Sequence, residues 1–112
     1  MRIGDTGAPG VHWPPMSRSL VERRLSELST RLRQLRDDLR ISEEQLAHLA
    51  EAADDARLRS LVSETPLADR EHHDAQRHAE AMQRHRADLL EGIADLEKSQ
   101  DELLDRLLAE TT

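Results

Sequence analysis

The stretch Ser63-Glu64-Thr65-Pro66 lies between two runs of heptad-spaced apolar residues of nearly equal length, and its reading decides the fold. Apolar residues at alternating steps of three and four stay on one stripe of a helix, and a break between two such helices lets their stripes close on each other. Thr65 followed by Pro66 is a helix start signal, because a capping side-chain oxygen and a proline in the first helical position both suit the free N–H groups there. The pattern predicts an all-α fold, an antiparallel two-helix coiled-coil hairpin with a disordered N-terminal tail. The expected parts are a tail over 1–16, helix 1 over 17–62, a turn over 63–66 and helix 2 over 67–110.

On the N-terminal side of the turn, Leu25, Leu28, Leu32, Leu35, Leu39, Leu46, Leu49, Ala53 and Ala56 occupy alternating a and d positions, with Ser42 the one polar member. Ser19 and Glu22 have the S-x-x-E spacing of a capping box and mark the expected helix start. Beyond Ala56 the large residues become Leu58, Leu61 and Val62, out of phase with the stripe, so the seam is expected to slip near the turn. Asp54-Asp55 offers an alternative cap for a short separate helix, but one continuous helix is preferred. On the C-terminal side the stripe is Ala68, Ala75, Ala79, Met82, Leu89, Ile93, Leu96, Leu103 and Leu107, with polar His72, Arg86 and Gln100 at a positions.

Charge tests the pairing independently of the apolar pattern. Residues 17–40 carry +3, 41–69 carry −5, 70–86 carry +1 with four His, and 87–112 carry −6. Folding at Thr65 lays each block on a complementary one, whereas a parallel in-register dimer would lay each on its own copy. An antiparallel dimer of extended helices makes the same pairings and is disfavoured by the proline at the midpoint. The fold is expected to bring Ala52, Ala53 and Ala56 opposite Ala75 and Ala79 near the tip. At the base, Leu28, Leu32 and Leu35 are expected to meet Leu96, Ile93 and Leu103.

Composition excludes several function classes. The 112 residues have one Trp, no Phe or Tyr and 35% charged residues, which suits a long helix or coiled coil rather than an α/β enzyme. With no Cys, thiolate metal sites, disulfides and cysteine nucleophiles are absent. No apolar run approaches the roughly 18 residues of a membrane span, and residues 1–16 lack the apolar segment of a secretory signal. These features place the chain in the cytoplasm. Fifteen Arg against one Lys, with Phe, Tyr and Asn absent, fits GC-rich codons and a high-GC bacterial source. Within the Gly- and Pro-rich tail, Trp13 between His12 and Pro14 is an alternative linear docking motif, and Met16 an alternative initiator.

Few constellations carry chemistry. His72, His73, His78 and His85 cluster on helix 2 with His48 expected across the hairpin, yet no two have the i, i+4 spacing of a helical ligand pair. His48, His78 and His85 are therefore weak metal candidates, and solvated or salt-bridged histidines with modest pH sensitivity are the simpler reading. Arg86 is expected beside Glu43 or Glu44, where a polar seam residue fixes register. Nothing matches a nucleophile elbow, a phosphate-cradling Gly loop or a helical zinc motif, so neither catalysis nor a cofactor is expected. Nucleic-acid and membrane binding are not expected either, since the Arg-rich stretch 18–40 carries no aromatic for stacking or anchoring and is offset by the −6 block.

The stretch ADDARLRSLVSETPLADREHHDAQRHAEAMQRHR, residues 53–86, is similar to that of small uncharacterised coiled-coil proteins of actinobacteria, a resemblance that implies no activity or catalytic residue. The tip, with Asp54, Asp55, Glu64 and Asp69 at the end of a rigid arm, resembles in architecture the factors that insert an acidic coiled-coil tip into the secondary channel of bacterial RNA polymerase. Those factors carry a further globular or zinc-bearing domain that these 112 residues do not encode, and their tip motifs are not reproduced by SETPLAD, residues 63–69. The expected function is a non-enzymatic protein-interaction module presenting the acidic tip to a protein partner. It is expected to form a homo-oligomer through Leu90, Leu104 and Leu108, which with Ala94 form an apolar flank beside the seam at the base. A transcription-associated regulator acting through the tip, and a His-based metal or pH sensor, are the alternatives.

Overall fold

The computed structural model describes residues 17–111, which form two α-helices, α1 (Arg18–Ser63) and α2 (Pro66–Thr111). The tail over 1–16, with Trp13 and Met16, lies outside the described residues. Each helix has 46 residues, a length of about 69 Å at 1.5 Å per residue. The two run antiparallel, so the molecule is a helical hairpin, and α1 continues unbroken through Asp54-Asp55.

The helix ends follow from their caps. Ser17, not Ser19, caps α1: its Oγ accepts from the Leu20 backbone N–H at 3.2 Å, and its carbonyl accepts from the Leu20 and Val21 N–H groups, both at 3.1 Å. The Ser19–Glu22 box does not form, and Glu22 instead pairs with Arg18 at 3.4 Å. The earlier start has a packing cause. Val21, four residues before Leu25, is fully buried, and capping at Ser17 provides the helical turn that carries it into the stripe.

The turn is tighter than the four residues expected. Glu64 adopts the left-handed conformation (φ 51°, ψ 37°) and donates its backbone N–H to the Ser60 carbonyl at 3.0 Å, which ends α1. Thr65 then caps α2, its Oγ1 accepting from Ala68 N–H at 3.1 Å and its carbonyl from Asp69 N–H at 3.0 Å. Pro66, lacking an N–H, occupies the first helical position at no loss of a hydrogen bond. The Ser60 hydroxyl donates to the Asp69 carboxylate across the turn.

The seam residues predicted from the heptads are buried or half-buried on both helices, from Leu25 to Ala56 and from Ala68 to Leu107. The core is Leu32, Leu35, Leu89 and Ile93, with Leu39 and Leu96 packed against it. Ser42 is buried in the seam, while His72, Arg86 and Gln100 are half-buried there. Gln100 donates to the Ser29 hydroxyl at 3.3 Å, and Arg86 Nε lies 3.1 Å from Glu43. The contacts Ser60–Asp69, Glu43–Arg86 and Ser29–Gln100 share one register, since each step down α1 is matched by an equal step up α2.

Two packing expectations are corrected. The seam does not slip near the turn: its phase continues from Ala56 to half-buried Ser60, and Leu58, Leu61 and Val62 are exposed. Ala52 is also exposed, so Ala53 and Ala56 line the upper seam without it.

Gly92 is a local weak point. A Cβ there would meet Leu35 Cδ1 at 3.5 Å, an ordinary contact, so no close approach within the hairpin demands glycine. Gly92→Ala is expected to stabilise the protein by about 1 kcal/mol through helix propensity alone. A thermal melt should show the midpoint rising by roughly 5 °C.

Candidate functional site

The tip is built from the last two turns of α1 and the first of α2. Ala56 and Ala68 are buried in the seam there, and such small side chains let the helices approach closely. Large residues in these turns point away from the seam. Leu58, Leu61 and Val62 stand at i, i+3 and i+4 on the outer face of α1, exposed by 55%, 64% and 83%, and Leu67 at the start of α2 is exposed by 62%. Together they offer on the order of 400 Å² of aliphatic surface, the size of the largest apolar patch on an ordinary monomer, which is often functional.

The acidic residues predicted for the tip are all exposed: Asp54, Asp55, Glu64 and Asp69. Asp54 and Asp55 lie three and four residues before Leu58, so they occupy the same outer face and form an acidic shelf below the aliphatic patch. Glu64 projects from the turn itself. Asp69 differs from the others, because its carboxylate accepts the Ser60 hydroxyl and so serves the turn. The tip is therefore amphipathic, with aliphatic residues at its centre and charged residues around them, the acids joined by exposed Arg57, Arg59 and Arg70. The i, i+3, i+4 spacing of Leu58, Leu61 and Val62 was the available signal for this patch, and assigning every Leu to a slipping seam conceals it.

The second surface is at the base. Leu90, Leu104 and Leu108 share one side of α2, next to the seam, and are exposed by 40%, 42% and 63%; Ala94 on the same side is exposed too. Glu97, in the same row, pairs with Arg36 at 2.6 Å. This contact fixes which side of the hairpin the row occupies: the one shared with Arg33, Arg36 and Arg40 of α1. A groove lined by Ser29, Leu32, Arg33, Arg36, Asp37 and Gln100 lies on that side.

Two cross-helix ion pairs follow the block scheme, one from the +3 and −6 blocks (Arg36–Glu97) and one from the −5 and +1 blocks (Glu43–Arg86). Their side chains are 40–54% exposed. Pairs so placed contribute about 0–1 kcal/mol each, so they select orientation more than they stabilise.

The described histidines do not converge. His48, His73, His78 and His85 are exposed and His72 is half-buried in the seam. Among the described residues no group of three His, Asp or Glu is arranged to hold a metal ion. No helix of the described residues is long and apolar enough to cross a membrane. Compared with known proteins, the chain matches no family model, no curated protein and no solved structure.

Proposed function

We propose that the hairpin is a non-enzymatic protein-interaction arm, acting in the cytoplasm, that self-associates through the Leu90–Leu108 side and offers its tip to a protein partner. The observation that carries the reading is the division of labour along the seam. Near the turn the seam is packed by Ala56, Ala68 and Ala79, while the large aliphatics Leu58, Leu61, Val62 and Leu67 face solvent at 55–83% exposure. Keeping such side chains in water costs about 1.5–3 kcal/mol each relative to burial, a cost that burial against a partner removes. Three anchors at i, i+3 and i+4 on a rigid helix are the recognition elements of a helix laid into an apolar groove. The acidic shelf at Asp54 and Asp55 favours a groove with a basic rim.

The mixed character of the tip also weighs between readings. A factor entering a polymerase channel would use the acids, of which Asp54, Asp55 and Glu64 are available and Asp69 is engaged in the turn; the aliphatic patch favours a groove-binding partner instead. Affinity capture from the native cell separates the two. The wild-type arm should retain a partner that is lost when Leu58, Leu61 and Val62 are replaced by Ser, with far-UV circular dichroism unchanged. Capture that survives those changes but is lost on neutralising Asp54, Asp55 and Glu64 would reject the aliphatic reading.

A further inference from the structure

We infer that two copies of the hairpin pair in parallel, side by side along their length, so that both tips project from the same end. The inference rests on the self-association proposed above and adds its geometry. A closed dimer places the same surface of each copy in contact through a two-fold axis. For the side that bears Leu90, Ala94, Leu104 and Leu108, near-parallel helix packing allows two orientations of that axis, along the hairpin or across it.

An axis across the hairpin lays α2 on α2, antiparallel. Pairing Leu90 with the other copy's Leu108 then sets Glu97 against the other copy's Asp101, and the −6 block against itself. The hairpins would overlap over about 36 Å, with the tips at opposite ends.

An axis along the hairpin lays each α1 on the other copy's α2. The +3 block then meets the −6 block between copies as it does within one. Register places Arg33 level with the other copy's Glu97, and the groove beside Ser29, Leu32 and Arg36 faces the other copy's acidic row. The contact also continues upward, past Glu43, which is paired with Arg86, through Ala47 and Ala50 of α1 and Gln83 and Ala87 of α2, and ends where Glu80 enters the row. Along the roughly 50 Å from the base up to Ala50, short of the Leu58, Leu61 and Val62 patch, such a contact reaches the roughly 800 Å² per partner of a specific interface. Charge and area therefore select the same arrangement, an antiparallel-neighbour four-helix bundle. It doubles the tip: two patches of Leu58, Leu61 and Val62 stand at one end, and a partner with two grooves would bind with avidity.

The chain contains no cysteine, so Ser63→Cys, at an exposed position beside the turn, gives one spin label per copy. Light scattering at 100 µM and pulsed dipolar spectroscopy on the full chain decide the matter. A dimer with labels within about 40 Å of each other is expected, since packed helices lie 8–10 Å apart. A dimer whose tip labels show no dipolar coupling, as the roughly 100 Å of the across arrangement requires, would overturn the parallel geometry and leave self-association standing. A monomer at that concentration would overturn both. Leu104→Asp should give a monomer of unchanged helicity, and a dimer that survives it would show that another face is used.

Discussion

Replacing Leu32 and Ile93 together by Asp is expected to remove the cooperative melt and most of the far-UV helical signal at 25 °C. Both side chains belong to the Leu32, Leu35, Leu89, Ile93 cluster, at 2% and 8% exposure. Truncating one such residue to Ala costs about 2–5 kcal/mol, and a carboxylate adds the cost of a charge with no partner in the seam. A small domain holds only about 5–15 kcal/mol in total, and a hairpin whose four-residue core is its main cluster has no second core to fall back on. The same substitution at Leu58 and Leu61 should leave the melt within about 0.5 kcal/mol of wild type, because surface changes away from packing are nearly neutral. An intact spectrum in the Leu32/Ile93 variant, or a collapsed one in the Leu58/Leu61 variant, would contradict the seam assignment. The pair of measurements thus separates the residues that hold the fold from those available for a partner.

Most of the hairpin was legible because its physics is periodic. A stripe with steps of three and four admits one buried face, and Thr65-Pro66 supplied both a cap and a helix start, so the seam and the turn followed from spacing. Orientation followed from block charge, and Arg86 with Glu43 shows the register expected of it at 3.1 Å. What escaped was decided by competition between signals of equal local quality. Ser17 and Ser19 can each cap a helix, and only the burial of Val21 chooses between them. Near the tip, small residues and large ones both had a claim on the seam. Ala56 and Ser60 hold it by continuing the phase, while Leu58, Leu61 and Val62 go outside. Hydrophobicity alone ranks these the other way. The acidic tip was therefore only half of the surface, and its aliphatic centre became visible once exposure was known.

That competition makes Ala56 the residue on which the tip depends. Ala56→Leu is expected to splay the upper half of the hairpin while leaving the base closed. The residue is 2% exposed in a seam whose nearby members, Ala68 and Ala79, are also buried, so the added methylenes have no void to enter. Overpacking of this kind costs about 1–3 kcal/mol. The chain can relieve it by separating the helices near the turn, because the Leu-rich core at Leu32, Leu35, Leu89 and Ile93 lies far down the rod and stability need not be uniform along a structure. Hydrogen exchange should show amides above Leu46 on α1 and before Met82 on α2 losing up to about 100-fold in protection, with those around Leu35 and Leu89 changed little. Uniform loss along both helices would mean that tip and base form one cooperative unit. Loss confined to the upper half would tie the placement of Leu58, Leu61 and Val62 on the outside to the small residues that hold the helices together beneath them, so that the same alanines that close the seam also define the aliphatic surface proposed for a partner.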